Sequence, residues 1–118
     1  MEENTVKYKS YAFALRIIKA YKFLSSEQRE FVLSKQFLRS GTSIGANVEE
    51  AIGGQSKKDF IAKISIAYKE ARETKYWLRL LEATNNLEEK EAKALLHDTE
   101  ELCKILSSIL VSSKQSNS

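Results

Sequence analysis

The chain has no proline and only four glycines among its 118 residues. Proline is the strongest helix breaker, and a β-rich chain of this length would need more turn residues, so both scarcities favour long helices. A single cysteine, Cys103, excludes an internal disulfide and suits a reducing compartment. Apolar runs are only a handful of residues long, too short to span a bilayer. The polar, acidic residues 1–5 do not read as a signal peptide, so the chain is expected in the cytoplasm without a membrane partner. Motifs for chemistry are missing too. There is no phosphate-cradling glycine loop, no G-x-S-x-G, no H-E-x-x-H and no C-x-x-C.

Hydrophobic residues make up 42% of the chain, enough for one real core, and charged residues of both signs make up 30%. The net charge of +3 permits an anionic partner without requiring one. One domain over residues 1–112 is expected, with 113–118 as a frayed tail.

Four amphipathic segments follow one another. In the first, residues 6–24, Phe13, Ala14, Ile17, Ile18, Tyr21 and Leu24 share an apolar face, and Lys9, Arg16, Lys19 and Lys22 take the other side. The second is expected to start near Ser25, where Ser25-Ser26-Glu27-Gln28 offers a capping box, and to stop at Gly53-Gly54. Leu33, Phe37, Gly41, Ile44, Val48 and Ala51 recur along it every three to four residues. Gly41 and Gly45 each cost roughly 1 kcal/mol against alanine inside a helix. They either let another helix approach closely or mark a break.

The third segment opens on the capping box Ser56-x-x-Asp59. Phe60, Ile64, Ala67, Ala71, Thr74, Leu78 and Leu81 then follow a 4-3 spacing that ends at Asn85-Asn86. The fourth opens on Asn86-x-x-Glu89 and repeats the spacing through Ala92, Leu95, Thr99, Leu102, Leu106 and Ile109. Short breaks between long helices favour antiparallel neighbours. The expected fold is all-α, an antiparallel up-down four-helix bundle.

Candidate chemistry is thin, and the chain is expected to be no enzyme and to hold no cofactor or metal. His97 and Glu101 stand at i, i+4 and could hold a metal weakly, but an exposed helix histidine is the simpler reading. Cys103 reads as a packed thiol near the apolar seam.

Charge says more. Residues 1–24 and 56–86 are net positive, and 25–55 and 87–118 net negative. Along the third helix, Lys69, Arg72, Lys75 and Arg79 share a sector with Tyr68 and Tyr76. A basic stripe with interleaved rings suits a phosphate backbone and its bases. It also suits an ordinary solvated face, or one turned to the acidic fourth helix of the same or another subunit. With Lys9, Arg16, Lys19 and Lys22 of the first helix, these four are the candidate nucleic-acid contacts. A second apolar strip on the third helix, Ile66, Tyr76, Trp77 and Leu80, reads as an oligomer interface or as part of a wide core. On the second helix Arg39, Ser43, Asn47 and Glu50 form a polar stripe, which can be a buried hydrogen-bond network, a ligand-facing surface or a solvent face.

Residues 39–50, RSGTSIGANVEE, resemble the R-x-x-x-S-I-x-x-N-I-x-E pattern of the four-helix bundle proteins linked to intervening sequences in 23S rRNA genes. Residues 67–81, AYKEARETKYWLRLL, resemble that family's A-x-x-E-A-x-E-T-x-Y-W-L-x-L-L helix, and SKKDF at 56–60 resembles its usual opening. The chain departs in having Gly45 where many members have proline. The resemblance covers about residues 8–109. It implies a bacterial four-helix bundle and a homopentamer. Through a relative that serves diversity-generating retroelements, it also implies binding to RNA or DNA and to a partner protein such as a reverse transcriptase. The competing reading is a protein–protein adaptor that binds no nucleic acid.

Overall fold

A computed structural model describes residues 2–115. They form four helices: α1 (Glu2–Ser26), α2 (Leu33–Ile52), α3 (Lys57–Ala83) and α4 (Glu89–Gln115). Helix α4 runs past the boundary expected at 112, and residues 116–118 lie outside the described ones.

Each helix packs on two others, α1 on α2 and α4, and α3 on α2 and α4, which leaves α1 and α3 at diagonal corners. Cross-helix pairs fix the directions. Arg39 meets Glu70 while Glu50 meets Lys63, so α2 and α3 run antiparallel. Lys9 meets Glu101 while Arg16 meets Glu91 and Asp98, so α1 and α4 do too. Ile17 lies beside Gly41 and Ser10 beside Gly45, so α1 and α2 are antiparallel as well, and the bundle is up-down throughout.

The seams of α3 and α4 are buried as their 4-3 spacing requires, with Ile64, Ala67, Ala71, Thr74, Leu78 and Leu81 facing Ala92, Leu95, Thr99, Leu102, Leu106 and Ile109. Helix α2 is continuous through both glycines. A Cβ on Gly41 would stand 2.8 Å from Ile17 Cγ1 and Cγ2, and one on Gly45 would stand 3.3 Å from the Ser10 carbonyl. The missing side chains let α1 lie close against α2. On α1, Ile18 departs from the expected core face and is exposed.

Two helix starts differ from expectation. Ser25 and Ser26 belong to the last turn of α1, where their hydroxyls donate back to the Tyr21 and Lys22 carbonyls. The chain then turns at Arg29, in the left-handed region at φ 51°, and the Glu30 N–H closes onto the Leu24 carbonyl at 2.9 Å. Helix α2 is capped instead by the Glu30 carboxylate, which accepts from the backbone N–H groups of Val32, Leu33 and Ser34 at 3.2, 3.0 and 2.6 Å. Asn86 likewise belongs to the end of α3. Its N–H donates to the Leu81 carbonyl and its amide to Thr84, and α4 begins only at Glu89. The Ser56 cap of α3 is as expected, accepting from the Asp59 N–H at 3.1 Å.

Candidate nucleic-acid interface

The eight basic residues expected to meet phosphate separate into two groups. Lys9, Arg16 and Lys75 turn toward α4. Lys9 pairs with Glu101 at 3.2 Å, Arg16 with Glu91 at 3.5 Å and with Asp98, and Lys75 with Glu100 at 3.1 Å. Helix α4 is acidic on both flanks and draws in the cations of both its neighbours. Lys19 and Lys22 of α1 and Lys69, Arg72 and Arg79 of α3 are exposed, and none has a carboxylate within 4 Å among the described residues. The free cations of α1 and those of α3 stand on diagonal helices, so they form two patches with α4 between them.

The outward face of α3 is itself divided. On its α2 side, Glu73 binds Arg39 and accepts the Trp77 indole N–H at 3.0 Å, and Ile66 is exposed nearby. On its α4 side, the Arg72 guanidinium lies over the Tyr68 ring at 5.9 Å, and exposed Tyr76 stands midway between Arg72 and Arg79 in sequence. Leu80 is half-buried between the two sides. Of the expected interface residues, Tyr76 thus lies among the cations, while Ile66 and Trp77 lie apart from them.

The polar stripe of α2 is not buried; its residues are bonded within the subunit along the exposed edge of the α2–α3 seam. Arg39 bridges Glu70, at 3.2 Å, and Glu73. Hydrogen bonding to Glu70 raises the guanidinium's pKa further above its ordinary range, against a smaller effect of burial. Ser43 donates to the Arg39 carbonyl, Asn47 to the Ser43 carbonyl, and Glu50 pairs with Lys63 at 2.7 Å. Behind this line the buried hydroxyls of Ser40 and Thr74 hydrogen-bond across the helix interface at 2.9 Å. The two sequence motifs that carried the family resemblance therefore lie against each other, and their polar residues hold α2 to α3.

One apolar surface lies outside the stripes expected from the sequence. Tyr8, Tyr11, Leu15 and Ile18 of α1 are 71%, 64%, 53% and 36% exposed and follow a 3-4-3 spacing. They form an apolar stripe on the side of α1 away from its buried residues Val6, Phe13, Ile17 and Leu24. On the wheel of a helix apolar on two sides, the stripe merges with the core face, so spacing alone assigns Ile18 to the core.

His97 is exposed, and among the described residues no group of three or more His, Cys, Asp and Glu side chains could hold a metal ion. Cys103 is half-buried against the core, and burial pushes its thiol pKa up despite Lys75 and Arg72 nearby. No helix of the described residues is long and apolar enough to cross a membrane.

Fold and surface together define an up-down four-helix bundle tied by an α2–α3 polar network, with cations left free on two diagonal corners. The chain belongs to the 23S rRNA-intervening sequence protein family, whose model matches residues 2–108. A solved structure from Bacteroides thetaiotaomicron, described as a protein of unknown function from the S23 ribosomal protein family, is 54% identical. That likeness covers 93% of this chain and 98% of the other, with a TM-score of 0.92. No curated protein matches the chain.

Proposed function

We propose that the protein is a non-enzymatic, self-assembling bundle that binds nucleic acid through its free cations. The observation that carries this reading is the division of the basic residues. Lys9, Arg16 and Lys75 are neutralised by α4 within the subunit, and Lys69, Arg72 and Arg79 are left exposed with tyrosines among them. Cations without a carboxylate partner can displace counterions from a phosphate backbone, which supplies most of the affinity in such complexes. The family is described by 23S rRNA intervening sequences, and the similar structure as a protein of unknown function from the S23 ribosomal protein family. The test is a pair of double reversals followed by fluorescence anisotropy on a labelled RNA. Arg72→Glu with Arg79→Glu should abolish binding and leave the thermal melt unchanged. Lys9→Glu with Arg16→Glu should lower the melt and leave binding largely intact. Unchanged affinity in the first variant would sink the reading.

A second reading, an adaptor that joins proteins, is favoured by the exposed stripe of α1. With exposed Ile66 on the α2 side of the diagonal helix α3, the subunit offers two different apolar faces. That is the arrangement a head-to-tail ring uses. Self-association through these faces is compatible with nucleic-acid binding, because the free cations of α3 lie on its other side.

A further inference from the structure

Tyr76 is 53% exposed, yet its ring is braced. It stands edge-on to the Trp77 indole, with centroids 5.3 Å apart and planes at 65°. Trp77 is held in turn by the Glu73 carboxylate at 3.0 Å. Beside Tyr76, a shallow recess of about 370 Å³ is lined by Tyr76, Arg79, Leu80, Glu82 and Ala83. The recess offers a ring, an aliphatic floor, a guanidinium and a carboxylate. Arg72 and Arg79 are about 10 Å apart along the helix, one on each side of Tyr76.

We propose that this recess seats one unstacked base of a single-stranded nucleic acid. The base stacks on Tyr76, Arg72 and Arg79 take the phosphates to either side, and the Glu82 carboxylate accepts from an exocyclic amino group. The proposal rests on the nucleic-acid reading above and makes it specific. A ring braced at the surface has stacking to offer only to a base whose face is free, and a duplex keeps its bases stacked on one another. A duplex would gain from the arginines alone. The carboxylate adds a preference, because adenine, cytosine and guanine each carry an exocyclic amino group and uracil does not.

The experiment compares a labelled twelve-nucleotide oligoadenylate with a twelve-base-pair RNA duplex at one salt concentration. The proteins are the unmodified chain, Tyr76→Leu, Tyr76→Phe and Arg72→Glu. The single strand should bind more tightly than the duplex. Tyr76→Leu should lower single-strand affinity by about tenfold or more and leave the duplex unchanged, Tyr76→Phe should keep the affinity, and Arg72→Glu should weaken both ligands. Oligouridylate should bind more weakly than oligoadenylate. If Tyr76→Leu changes nothing, or weakens both ligands equally, while Arg72→Glu still weakens both, the recess is overturned and the phosphate contacts stand. A loss in Tyr76→Phe equal to that in Tyr76→Leu also overturns stacking. Absence of binding to either ligand overturns the recess and the nucleic-acid reading together.

Discussion

Arg39 shows how much of this fold rests on single side chains. It reaches two carboxylates on the next helix, and one of these also holds the Trp77 indole. Exposed ion pairs are worth about 0.2–1 kcal/mol each, and Arg39 is half-exposed. Arg39→Ala should therefore lower stability by roughly 1 kcal/mol in urea denaturation. Lysine should restore only part of that, since it lacks the planar fork that spans two partners. Gly41 makes the opposite point. Alanine would gain roughly 1 kcal/mol of helix propensity, but its Cβ would press on a fully buried Ile17, and overpacking costs about 1–3 kcal/mol. Gly41→Ala should melt at a lower temperature than the unmodified chain. The burial of Thr74 was legible in the spacing, and the close approach at Gly41 was one of the two readings it left open. Ser40, the partner of Thr74, was not, because a hydroxyl on a helix gives no sign of whether it faces water or another hydroxyl.

Among the elements, α3 and α4 were the most legible. Each buries one narrow seam, and a 4-3 rhythm is the direct trace of such a seam in sequence. The start of α2 was hidden because its cap is unusual. Serines at 25 and 26 look like a cap but serve the end of α1, and the real cap is a glutamate three residues before the helix. Burial opposes ionisation of Glu30, and its hydrogen bonds from the Leu33, Ser34 and Val32 backbones outweigh that and hold its pKa below the ordinary carboxylate value. A depressed pKa in the folded state means that the cap contributes fully above about pH 4.3 and is lost as the pH falls through the folded value. Glu30→Gln should cost roughly 1 kcal/mol at neutral pH. The difference from the unmodified chain should shrink in acid, which urea titrations at several pH values would show. Helix α1 was half legible. Its core face stood out, and its exposed stripe did not, because a helix apolar on two sides blurs its own periodicity.

At the scale of the whole molecule, the topology decides what the charges can do. The two basic helices are diagonal, and the acidic helix between them neutralises their near flanks. The sequence showed that α1 and α3 are basic and α4 acidic, but it did not say which lysines face which carboxylates. That depends on packing order, which spacing does not encode. The exposed stripe on α1 bears on assembly. Leu15→Glu should reduce the mass measured by light scattering, and an unchanged mass would assign self-association to other surfaces. One strand lying along α3 can meet Lys69, Arg72 and Arg79 but not the cations of α1. About three phosphates are then neutralised per subunit, and for a single strand the log–log dependence of affinity on salt should have a slope of about −2. The most direct measurement is that slope, from anisotropy of a short labelled single strand at a series of salt concentrations. A slope near −2 in the unmodified chain, with binding lost across the salt series in Arg72→Glu with Arg79→Glu, is the predicted result. Affinity indifferent to salt, or no binding at the lowest salt, would contradict it.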